Sequence, residues 1–173
     1  GNWSDNSHWS LSSGGGSTAC LPNINDSIYF DTNSGFTAND TVLLDVNGFC
    51  SYMDWSAATG SPTFTLNRLL NSKGDIIFNS GMAITRNTLS ARIRIAPNTN
   101  NVSLNATASN LDTDISFEAE NENDTLFLLS NLMMADSNLF TFIKGTFVTN
   151  NFNINTGAFN SAIQLTKTLE LGS

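Results

Sequence analysis

Residues 75–85 read DIIFNSGMAIT. Two short apolar runs, around Ile76–Phe78 and Met82–Ile84, flank the triplet Asn79-Ser80-Gly81. Each run is too short for a helix and is rich in strand formers, and Asn-Ser-Gly is turn chemistry. TFV (146–148) and NFNIN (151–155) repeat this layout around Thr149-Asn150. Two strands that meet at an Asn or Gly corner suit successive faces of one coil. An antiparallel sandwich would instead favour tight Asn-Gly or Asp-Gly hairpins, and only Asn47-Gly48 is a clean one. The runs TFTL, DIIF, RIRI, DISF, LFTF, NFNIN and TLEL recur at separations of about ten to twenty-odd residues, which favours a parallel solenoid.

The same pattern extends along the chain. Helix interiors are disfavoured by the Asn, Thr, Ser and Gly content. The best helical segment, LFLLSNLMMA (126–135), also reads as two strands. In DISFEAE (114–120), alternation turns Ile115, Phe117 and Ala119 inward and Asp114, Ser116, Glu118 and Glu120 outward. Ile93 and Ile95 of ARIRI face the core between solvated Arg92 and Arg94, and Phe152 and Ile154 do so in NFNIN. The chain holds 25 Asn, which suit corners where amides stack from coil to coil.

Charge narrows the partners. Fifteen acids against seven bases give a net charge of −8, which argues against nucleic acid and anionic membranes. No apolar run is long enough for a spanning helix, so direct membrane insertion is not expected. No signal peptide opens the chain, so any export signal has been removed or lies elsewhere, and the whole reads as a piece of a longer protein. Cys20 and Cys50 are the only cysteines. In a low-charge, Asn-rich chain of extracellular character they are expected to form one disulfide, against the alternative of two buried thiols.

Catalytic chemistry is hard to assemble. The single histidine, His8, has Asp5 and Asp26 as candidate partners, but no nucleophile elbow accompanies it. A polysaccharide lyase would need clustered bases, whereas Arg68, Lys73, Arg86, Arg92 and Arg94 are spread over several coils. The chain is therefore read as non-enzymatic and without a cofactor. Calcium is the ion that oxygen ligands at Asp112-Thr113-Asp114 and in EAENEND (118–124) would suit, although a solvated acidic face is the stronger reading there. Trp3, Trp9 and Trp55, with Tyr29 and Tyr52, are either aromatics that cap the first coil or a platform for glycan stacking.

Both ends of the chain resemble a known family. The opening NWSDNSHWSLSSGG, Cys20-Leu21-Pro22, NDSIYFD (25–31) and CSYMDWSAATGSPTFTL (50–66) are similar to the start of repetitive β-solenoid cell-surface adhesins. Gliding bacteria and their relatives export these adhesins by type IX secretion. KGTFVTNNFNINTGAFNS (144–161) and TKTLELGS (166–173) resemble the recurring unit of such proteins. Residues of about 75–140 share only the general pattern.

The resemblance implies a right-handed parallel β-helix in a surface adhesin or filament, exported by the type IX machinery, and it carries over no catalytic residue. It also implies O-glycosylation at Asp-Ser/Thr followed by an apolar residue, which marks Ser27, Thr41 and Thr125 as candidate acceptors. The expectation is thus an all-β chain with an N-terminal cap over 1–60, stapled by Cys20–Cys50, and solenoid coils over 61–173. Its expected role is a rigid, extracellular structural or adhesive segment that meets a glycan, a surface or neighbouring domains of the same adhesin. A carbohydrate-binding module and a lyase-like β-helix are the alternatives.

Overall fold

The computed structural model describes residues 1–17, 19–98 and 101–172, so Thr18 of the expected cap and Thr99, Asn100 and Ser173 of the expected coil region lie outside it. Among these residues the chain is all-β, with no α-helix, and its parallel strands stack as a β-solenoid of about six turns. At about 4.8 Å per stacked strand, six turns make a column roughly 29 Å tall.

The coils have three faces. The first stacks β2 (Thr41–Leu44), β5 (Thr63–Leu66), β8 (Ala83–Arg86) and β11 (Asn110–Leu111), with β14 (Leu132–Met133) and β16 (Ile154–Asn155) paired further along the chain. The second carries β3 (Gly48–Cys50), β6 (Leu70–Ser72), β9 (Arg92–Ile95), β12 (Asp114–Glu118), the first half of β15 (Leu139–Val148) and β17 (Ala158–Asn160). The third carries β1 (Ser27–Tyr29), β4 (Tyr52–Asp54), β7 (Ile76–Ile77), β10 (Val102–Asn105), β13 (Thr125–Leu128), the second half of β15 and β18 (Lys167–Glu170). The segment DIIFNSGMAIT thus holds the third-face strand of one coil, a corner, and the first-face strand of the next.

Inward residues stack in register and form the core. Val42↔Phe64↔Ile84 run along the first face, and Ile93↔Ile115↔Phe140 along the second. Leu126 pairs with Phe147 on the third. The step between registered partners varies from 19 residues (Leu139 to Ala158) to 28 (Ile76 to Leu104). Loops of unequal length at the corners absorb the difference, which is why the sequence period is irregular.

Two corner devices are visible. β15 passes from the second face to the third without a break, and it turns at Gly145, whose φ is +104°. A Cβ there would lie 2.7 Å from both the Ala119 Cβ and the Asp124 carbonyl oxygen, so only glycine fits. Other corners are tied by Asn side chains that donate to carbonyls of the preceding coil. Asn79 reaches Ala58 (2.8 Å) and Asn150 reaches Leu128 (2.8 Å). The expected amide-on-amide stacking is replaced here by amide-to-backbone bonds, which satisfy carbonyls that the corner takes out of the sheets.

Coils begin earlier than residue 61. β1 to β4 already pair in register with β4, β5, β6 and β7. Gly1–Trp3 add a further edge to the first face, where Asn2 bridges Leu43 and the Trp3 N–H donates to the Leu43 carbonyl (2.8 Å). The expected Cys20–Cys50 disulfide is not present. Cys50 is an inward residue of β3 and wholly buried, whereas Cys20 lies exposed on the segment leading to β1; both are free thiols.

Candidate functional site

The aromatic end of the column was the first candidate. Trp3 and Trp55 are 1% and 0% exposed, so neither offers a ring face to a glycan. Trp55 stacks on Phe30 with centroids 3.6 Å apart, and on Phe36 at 5.9 Å, and it touches Phe64 at 5.4 Å. Trp3 lies 5.9 Å from Phe64 and meets Trp9 edge-on at 4.8 Å. Half-buried Trp9 donates its indole N–H to the Trp3 carbonyl (2.9 Å). These rings cover the first coil's apolar interior. The Ser4 hydroxyl and N–H fasten the segment to Asp45 (2.5 and 3.0 Å). Burial alone would raise the Asp45 carboxyl, but the Ser4 bonds and nearby backbone N–H groups hold it below its ordinary value of 3.8.

His8 sits in a short 3-10 turn, Asn6–His8, capped by Asp5. Its Nδ1 lies 3.2 Å from the Asn2 carbonyl oxygen and its Nε2 3.9 Å from Asp5. Its polar contacts are those of a turn, with Asp5 tied in addition to the Ser7 N–H (2.9 Å).

The three Asp-Ser/Thr-apolar triads share one geometry. Asp26, Asp40 and Asp124 each accept the backbone N–H of the residue three before, Asn23 (2.8 Å), Thr37 (2.7 Å) and Asn121 (3.0 Å). Each also accepts a bond from that residue's side chain, and each donates its own N–H back to that residue's carbonyl. Each Asp therefore closes a sealed four-residue turn, and the Ser or Thr after it opens β1, β2 or β13. Ser27 and Thr41 are exposed at the start of their strands, and Thr125 is half-buried. Asp40 is held below its ordinary value by the Thr37 N–H and hydroxyl.

The acidic stretches are occupied by coil-to-coil partners. Asp112 accepts from the Asn138 amide (2.9 Å), and Asp114 accepts the Leu139 N–H (2.9 Å) and pairs with Arg86. Glu118 pairs with Arg94, Glu120 with Lys73, and Glu122 accepts the Thr166 hydroxyl (3.0 Å). Among the described residues, no three His, Cys, Asp or Glu side chains converge as a metal site. Arg86, Arg94 and Lys73 each stand opposite a carboxylate of a later coil.

Two further features take their meaning from the stacking of the coils. The far end of the column is open: Phe159, Ile163, Leu165, Leu169 and Leu171 are exposed there, together with Phe152. Phe159 and Leu169 are in register with buried Phe140 and Phe147, so they occupy core positions of the last described coil, and no described strand stacks on their other side. The signal was present in the inward alternation of NFNIN and TLEL, but only stacking order shows which coil is last. The second feature is an outward aromatic pair on the third face, Tyr29 and Tyr52, beside Asp54. Comparison of the chain with models of known protein families, with curated proteins and with solved structures finds no match.

Proposed function

We propose that this domain is a non-catalytic, rigid segment of a longer surface rod, an adhesin or filament, closed at one end and built to carry a further coil at the other. The observation that carries this is the difference between the two ends. Aromatics and the Gly1–Trp3 edge seal the first coil, while Phe159 and Leu169 of the last stand where coil five presents Phe140 and Phe147 to its neighbour. A repeat array with one capped end and one apolar end is suited to be prolonged. The occupant fitted to that end is another parallel coil, which would extend the ladders of β16, β17 and β18 and cover the same inward positions.

The likeness of both chain ends to type IX-secreted adhesins supports placing the rod outside the cell, with its load borne along continuous hydrogen-bonded ladders. Immunogold labelling of unpermeabilised cells of the source organism tests this. Gold on the surface is expected, and label only after permeabilisation overturns the surface role. Eliminase turnover of acidic polysaccharides by the purified chain would overturn the non-catalytic reading.

A further inference from the structure

We propose that Tyr29, Tyr52 and Asp54 form a stacking subsite for a neutral saccharide on the outer third face. It lies beside the cap, not on the tryptophans, and it is independent of the rod's extension. Tyr29 and Tyr52 stand on adjacent strands, with ring centroids 5.5 Å apart and planes inclined by 46°. Tyr29 is 63% exposed, so its ring contributes little to packing and leaves an apolar face in water.

The carboxylate is positioned by its neighbours. Asp54 is in register with Tyr29, accepts the Tyr52 hydroxyl (3.1 Å) through Oδ2, and accepts the Ser56 N–H (2.7 Å) through Oδ1. Burial, the bond to Asp54, and the charges around it push the Tyr52 phenol up to about 12, so it stays a donor and keeps Asp54 oriented. Each carboxylate oxygen retains a lone pair for a sugar hydroxyl. Tyr29 and Asp54, though not Tyr52, also stand at the edge of a groove of about 1180 Å³ lined mostly by the N-terminal segment.

The class of sugar follows from charge and shape. Six aspartates and no Lys or Arg precede Arg68, so an anionic saccharide is repelled. Two inclined aromatic faces next to an oriented carboxylate match the C–H faces and hydroxyl edge of a hexose.

Saturation-transfer NMR of the intact chain with cellohexaose, laminarihexaose, mannohexaose and hexagalacturonate provides the test. Transfer to at least one neutral hexamer and none to hexagalacturonate is expected. Tyr29→Ala should weaken that binding by about tenfold or more with an unchanged melting temperature, and Tyr29→Phe should preserve it. Transfer to no neutral hexamer, equal transfer to hexagalacturonate, or an affinity indifferent to Tyr29→Ala overturns the proposal.

Discussion

Replacing Trp55 by alanine separates a cap from a ligand platform. The indole is wholly buried against Phe30, Phe36 and Phe64. A large aromatic buries about 200 Å², which at about 25 cal/mol per Å² is an upper value of about 5 kcal/mol. Truncations of this kind cost about 3–5 kcal/mol, much of a domain's typical margin of about 5–15 kcal/mol. The Trp55 indole N–H has no hydrogen-bond partner among the described residues, so Trp55→Phe removes an unpaired donor while losing part of the packing. It should fall within about 1.5 kcal/mol of the parent. Urea unfolding followed by far-UV circular dichroism gives both values. A Trp55→Ala protein that unfolds at the parental midpoint would refute the cap.

Three further outcomes follow from the same geometry. Iodoacetamide should label Cys20 in the folded protein and reach Cys50 only after denaturation, because burial pushes the Cys50 thiol up to about 11; an intact mass showing two hydrogens fewer and no labelling would restore the disulfide. Acid should loosen the cap first. Asp5, Asp31, Asp40 and Asp45 all have carboxyls lowered in the fold, so their stabilisation is complete above 3.8 and is lost as the pH falls through their lower folded values. All three tryptophans lie in this region, so their fluorescence should change below about pH 3.8 ahead of the far-UV signal, and simultaneous change would contradict the assignment. Gly145→Ala should cost about 2–4 kcal/mol from the positive φ and the Ala119 and Asp124 contacts, read as a lower urea midpoint; an unchanged midpoint would mean the corner can relax.

Much of the fold could be read from alternation. Ile93, Ile95, Ile115, Phe117 and Ala119 are buried where the pattern places them. LFLLSNLMMA resolves into β13 and β14, since the Ser130-Asn131 corner outweighs its apolar run. The failures have local causes. β6 and β11 were missed because each is two or three residues long, with one Leu among Asn and Ser and no alternation to detect. Ser116 alternates outward between Ile115 and Phe117, in register with Arg94 and Thr141, yet it is buried, which alternation alone does not show. Cys20 and Cys50 looked paired because composition reports the number of thiols and not their directions. The tryptophans looked like a site because sequence does not distinguish a ring over the core from a ring over solvent. The Tyr29–Tyr52 pair could not be seen, since the residues are neighbours only through the register of β1 on β4.

The most direct test of a rod with one closed and one open end is hydrogen exchange along the isolated chain, resolved by peptide mass spectrometry. Amides of β4 to β13 should exchange slowest, those of β2 and β3 should stay protected under the aromatic cap, and those of β16, β17 and β18 should exchange fastest among the strands. Protection in β16–β18 equal to that in β12 and β13 would contradict the open end, and with it the account of a module prolonged by further coils.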